Sequence, residues 1–213
     1  MLERSFGEIA ALAKRATRGA GYTWGACEDA AFATEWLCRQ GLPGVEVLSN
    51  ALSAHEGPQI APTITEQPWK AANGALLCAL TSAAALTDHI QLAAHDGGIA
   101  ILNLRFPLLT VGCVGAYGEA TGRRYQLKWN DTQIDAGLGG SFTKDPTHKL
   151  ISASANMFRC TELEAIPARA TLSSPTRPSI DVAHWKRLEQ LAFRTYAPAT
   201  AASRLSGAGP DAS

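Results

Sequence analysis

Between residues 18 and 29 the chain reads RGAGYTWGACED. A guanidinium, three glycines, an indole and a thiol packed this closely could hold a ligand or carry a nucleophile. Gly19 and Gly21 follow a helical stretch, whereas a G-x-G phosphate loop needs a preceding strand to aim it, so the dinucleotide fingerprint is excluded. A helix opening at Trp24 would still offer free N–H groups to an anion. Gly25 in its first turn would let a ligand reach the backbone, and Arg18 and Gly21 flank the same turn. Cys27 is the candidate catalytic residue, since a thiol in the second turn gains thiolate character from the helix field. Glu28 and Asp29 oppose both effects. The plainer reading is a bend between two helices, with Trp24 as packing.

Other chemistry-bearing residues are scattered. Cys27 and Cys38 fall on one predicted helix, roughly 16 Å apart at 1.5 Å per residue, and cannot form a disulfide. The remaining cysteines (78, 113 and 160) make an odd total of five with no C-x-x-C pair, which implies reduced thiols. His89 and His95 in HIQLAAH would be about 20 Å apart on a strand, too far to share a metal. His55, His148 and His184 lack zinc-like spacing. No serine sits in a G-x-S-x-G elbow, and GLGGS (137–141) has no following lysine and reads as a turn. Glu162 and Glu164 alternate with a leucine and are expected to face water. No metal and no cofactor are expected.

Three helices must position the opening motif. SFGEIAALAKRAT spaces Phe6, Ile9, Leu12 and Ala13 at helical intervals and ends at Gly19 and Gly21. Thr23 is the N-cap of TWGACEDAAFATEWLCRQ, with Phe32, Trp36 and Leu37 on its apolar face. LPGVEVLSNALSAH gives a shorter third helix. GPQIAPTITEQPW (57–69) has no helical period and is a connection. Strands are expected beyond it: a hairpin in HIQLAAHDGGIAILNL around D-G-G, a strand in PLLTVGCVGAYG, a hairpin in RYQLKWNDTQIDAG, and weaker strands in KLISASANMFRC and RATLSS. Asp181 caps an amphipathic helix, VAHWKRLEQLAFRTY, with Trp185, Leu188, Leu191 and Ala192 on one face. The expected fold is α+β: an N-terminal helical bundle (1–56), a linker (57–70), an antiparallel β-rich body closed by the C-terminal helix (71–198), and an irregular tail (199–213). Residues 57–70 mark either a boundary between two units or a loop within one.

At 213 residues, 46% hydrophobic and 18% charged, the chain can bury a sizeable core. Nineteen basic residues balance nineteen acidic ones, leaving no basic surplus to neutralise phosphates, so nucleic acid is an unsuitable partner. Near-zero charge permits a homo-oligomer. GALLCALTSAAALT (74–87) is too short to span a bilayer, and the N-terminus lacks a secretory apolar region, so no membrane partner and a cytoplasmic location are expected.

The opening EIAALAKRATRGAGYTWGACEDAAFATEWLCRQGLPG and the close LEQLAFRTYAPATAASRLSGAG together resemble a bacterial family catalogued as domain of unknown function 3726. The family's helix–RGAG–W-G–helix opening and its TY-P-A-x-x-SR-x-x-GAG close are both present, and the chain departs at GAGPDAS. The resemblance implies no activity. It directs attention to Arg18, Gly19, Gly21, Trp24 and Gly25, and at the other end to Tyr196, Ser203, Arg204 and Gly207. The two segments are expected to meet, with Arg18, Gly21, Trp24, Gly25, Tyr196 and Arg204 as the ligand-binding set. The leading functional expectation is a small-molecule-binding or accessory protein of bacterial metabolism, with a small molecule or a protein as its partner. The alternative is a lyase, isomerase or hydrolase acting on a carboxylate-bearing metabolite.

Overall fold

The structure is a computed structural model that describes residues 1–54, 59–95, 97–141, 143, 147–164 and 177–196. His55, the RATLSS segment, Ser203, Arg204, Gly207 and the tail lie outside these residues. The architecture is α+β.

Helix α1 (Phe6–Gly19) starts where Ser5 and Glu8 form a reciprocal cap: the Ser5 hydroxyl accepts from the Glu8 amide and the Glu8 carboxylate accepts from the Ser5 amide. It buries Ile9, Leu12, Ala13 and Ala16 against α2 (Trp24–Arg39), whose N-cap is Thr23. Helix α3 (Gly44–Ser53) completes the predicted bundle. On α2, Trp36 and Leu37 are buried as expected, but Phe32 is 62% exposed. Alanines 30, 31 and 33 form the buried surface instead, which lets neighbouring helices approach α2 closely.

The middle of the chain corrects two expectations. HIQLAAHDGGIAILNL is no hairpin. After α4 (Ala79–Asp88), residues Ile90–Ala94 form a short 3₁₀ helix flanked by His89 and His95, and β2 (Ile99–Arg105) alone is extended. PLLTVGCVGAYG is no strand but lies within α5 (Pro107–Thr121). Pro107 suits the first helical turn, where no N–H is needed. Every position from Pro107 to Gly115 is buried, so the helix shows no amphipathic period, and its apolar run imitated a buried strand. The glycines are contact residues. A Cβ at Gly112 would come within 2.7 Å of the Ala33 carbonyl, and one at Gly115 within 2.5 Å of the Trp36 ring.

Strands β3 (Arg124–Trp129) and β4 (Thr132–Gly137) form the expected hairpin around Asn130 and Asp131, with Asn130 at φ 47°. After α6 (Thr147–Leu150), β5 (Ser154–Leu163) inserts between them and β2, giving an antiparallel order β2-β5-β3-β4. One face of this sheet receives α5 through Tyr125, Leu127, Ile134 and Ala136. The outer edge of β2 is covered by the connection: Trp69 and Leu77 bridge in parallel to Ile101 and Leu104. Leu2–Glu3 (β1) pairs with Ser179–Ile180 (β6), and α7 (Val182–Phe193) follows, capped by Asp181 as read from the sequence. Its buried face is Trp185, Leu188, Leu191 and Ala192, seated on α1. Gly19 permits this seat, since a Cβ there would collide with the Leu191 carbonyl.

Candidate functional site

The turn between α1 and α2 is closed by its own residues. Arg18 Nη1 donates to the Tyr22 carbonyl at 2.8 Å, and its guanidinium lies over the Trp24 ring at 4.9 Å. The Cys27 thiol donates to that same carbonyl at 3.8 Å. Gly21 takes φ +91° and accepts weakly from Gln59 Nε2 at 3.4 Å, while Gly25 has open space around its Cα. Trp24 is 62% exposed and turns outward. Cys27 is fully buried, and desolvation pushes its pKa up against the opposing charges of Arg18 and Lys14. At the other end of the chain, the exposed Tyr196 accepts from Arg15 Nη1 at 2.7 Å and packs on Phe193. Tyr196 therefore meets α1 one turn before Gly19, while Arg204 lies outside the described residues.

What this turn does is aim Tyr22 inward. The ring is only 4% exposed and enters a pocket of ≈ 90 Å³ whose polar lining is Tyr22, Cys78 and Arg105, above an apolar floor that includes Leu52, Leu80 and Phe106. The Tyr22 hydroxyl and the Cys78 sulfur are 3.6 Å apart.

Backbone pairing places the other two residues. Leu77 donates to the Asn103 carbonyl at 2.7 Å and accepts from the Arg105 amide at 3.0 Å, so Cys78 and Arg105 leave the same bridge side by side. Cys78 is the N-cap residue of α4. Arg105 ends β2, Phe106 turns the chain at φ 42°, and α5 begins at Pro107. Two helix N-termini therefore converge on the pocket, each carrying a partial positive charge. Arg105 adds a full one, and its Nη1 donates to the Ala54 carbonyl at the end of α3 at 3.0 Å.

Electrostatics follow from this burial. The Tyr22 phenol is pushed well above its ordinary value of 10.0, chiefly by desolvation and next by the neighbouring Cys78, with Arg105 acting in the opposite sense. It is a neutral hydrogen-bonding group at any physiological pH. A compact anion with an apolar body suits such a lining: the guanidinium and helix ends for the charge, the phenol for a hydrogen bond, and leucine and phenylalanine for the rest.

Sequence reasoning missed Cys78, Arg105 and the inward role of Tyr22. A visible signal existed for Arg105, a single charge inside the otherwise uncharged and mostly apolar run IAILNLRFPLLTVG. Nothing local marked Cys78, because its neighbours in space come from the far end of β2.

Among the described residues no group of three or more metal-ligating side chains converges, and no helix is long and apolar enough to cross a membrane. His89 Nδ1 lies 3.0 Å from the Ala85 carbonyl and its ring packs edge-on against Trp69. His184 faces Glu46 at 3.7 Å. The expected exposure of Glu162 gives way to an ion pair with Arg123 at 2.9 Å.

No curated protein matches the chain. Residues 4–75 match the model of a family described as protein of unknown function (DUF3726), a span that holds α1 to α3, the α1–α2 turn and Tyr22 and stops just before Cys78. The closing motif around Tyr196 falls outside the matched span. Over residues 4–75 the chain is thus similar to the DUF3726 family, the family that its RGAG–W-G opening resembles.

Proposed function

We propose that this protein binds a small carboxylate-bearing molecule in the pocket formed by Tyr22, Cys78 and Arg105, as a cytoplasmic binding or accessory protein of bacterial metabolism. The observation that carries the reading is the convergence of Arg105 with the N-termini of α4 and α5 on one small cavity. At ≈ 90 Å³ the cavity falls well below the ~300–1,000 Å³ that houses a drug-sized ligand, so a nucleotide or dinucleotide is too large. A short-chain acid of a few carbons is the fitting class.

Thermal shift tests this directly, with short mono- and dicarboxylates set against their neutral amides. A true ligand at ~100 times its Kd stabilises by about 2.7 kcal/mol. Stabilisation by an acid and none by its amide is the expected result. Equal stabilisation by both, or by neither, would remove the anion reading.

A second reading, an enzyme acting on the same class of metabolite, is favoured by one feature: a phenol hydrogen-bonded to a thiol at the ligand's position. In that version the nucleophile is Cys78 rather than the buried Cys27.

A further inference from the structure

Five thiols are free, and four of them, Cys27, Cys38, Cys113 and Cys160, are buried in the core; Cys78 alone is only partly buried. Burial raises the pKa of each of the four, Cys38 to about 11. Cys78 instead lines the pocket, with the Tyr22 hydroxyl 3.6 Å from its sulfur and Arg105 on the same wall. A thiol beside a phenol, in a cavity that an arginine also lines, can be reached only by molecules that fit there, and the arginine favours an anion.

We infer that Cys78 is a covalent site of this pocket, selective for short carboxylates that carry an electrophilic carbon. The inference rests on the anion reading above for its selectivity, though not for the reach of the thiol. The carboxylate is held by Arg105 and the helix ends, which brings the adjacent carbon to the sulfur. With an α-halo acid, the sulfur attacks that carbon, a C–S bond forms, and the carbon–halogen bond breaks with its electron pair leaving on the halide. The thiol proton passes to solvent. With an α,β-unsaturated acid the sulfur adds to the β-carbon, and the proton lost from sulfur is matched by one gained at the α-carbon. In both cases the thioether fills the cavity.

The probes are iodoacetate and its neutral counterpart iodoacetamide, applied to the native protein at limiting reagent, with intact-mass and peptide mapping. The expected product is a single adduct at Cys78. Iodoacetate should label severalfold faster than iodoacetamide, against the order found for an open thiolate, where like charges repel. Arg105→Leu should abolish the preference while iodoacetamide still labels Cys78 and leaves the four buried thiols unlabelled, and that protection reports that the core remains folded. Cys78→Ser should remove the adduct.

First labelling at any other cysteine, or no native labelling of Cys78 when the unfolded chain labels at all five, would overturn the inference. Labelling of Cys78 with no preference for iodoacetate would keep the thiol's reach and overturn the anion selectivity, and with it the reading of the pocket. Those two failures are therefore distinguishable.

Discussion

Arg18 and Arg105 show how similar residues acquire different work from their surroundings. Arg18 stacks over the exposed Trp24 and ties down the Tyr22 carbonyl, so its charge serves the turn. Arg105 ends a buried strand and lines a cavity. Replacing Arg18 with Ala should therefore loosen the turn yet leave discrimination between a carboxylate and its amide intact, measured by thermal shift. Loss of that discrimination would move the anion site to the turn.

Caps supply a second residue-scale test. Glu8 and Asp181 have pKa values lowered below their ordinary 4.5 and 3.8, because backbone amides at helix N-termini donate to them. A carboxylate with a depressed folded-state pKa stabilises fully above its unfolded pKa, and that contribution is lost as pH falls through the folded value. The stability of the protein should accordingly decline below about pH 4.5, and the Glu8→Gln, Asp181→Asn double variant should show a shallower decline in urea titrations across that window. An unchanged acid limb would mean that other carboxylates govern it. Ser5→Ala, which removes the hydroxyl acceptor of the capping box, should cost about 1 kcal/mol in the same assay at neutral pH.

At the scale of elements, α5 is the centre of the molecule, with α2 and α4 on one side and the β3–β4 hairpin on the other. Its glycines set how close α2 can come. Gly115→Ala would drive a methyl into the Trp36 ring, and over-packing of this kind costs about 1–3 kcal/mol. Gly25→Ala makes the contrast. Nothing lies within 4 Å of a Cβ there, so the change should be neutral or stabilise α2 by up to ~1 kcal/mol through helix propensity alone. Chemical denaturation of both variants measures the difference. Equal effects would mean that the close approach of α2 and α5 is not what Gly115 provides.

For the whole molecule, the buried residues form one continuous cluster running from Ile9 on α1 through Trp69 in the connection to Phe158 on β5 and Leu188 on α7. Unfolding should therefore be a single transition, with tryptophan fluorescence and far-ultraviolet circular dichroism coinciding in urea. Trp36, Trp69 and Trp129 report from the helical layer, the connection and the sheet, and each is buried. Two separated transitions would show that residues 57–70 divide independent units.

The sequence by itself determined the elements whose evidence is local. The 3.6-residue period of α1 and α7, the caps at Thr23 and Asp181, and the Asn-Asp turn between β3 and β4 all depend on residues within a few positions of one another. The α+β class followed from their order. The tertiary structure decided α5, because a helix buried on every side loses the polar face that would betray its period. It likewise decided that Ile90–Ala94 coils instead of pairing, since β5, from far along the chain, is the partner β2 takes. The pocket belongs to the same category. Tyr22 was in plain view within the opening motif, but its direction depends on a turn closed by Arg18 and Cys27, and its partners Cys78 and Arg105 come together only when Leu77 bridges to Leu104. Local chemistry writes helices and turns into the chain, whereas a site assembled from a turn, a helix start and a strand end exists only once the core has brought them together.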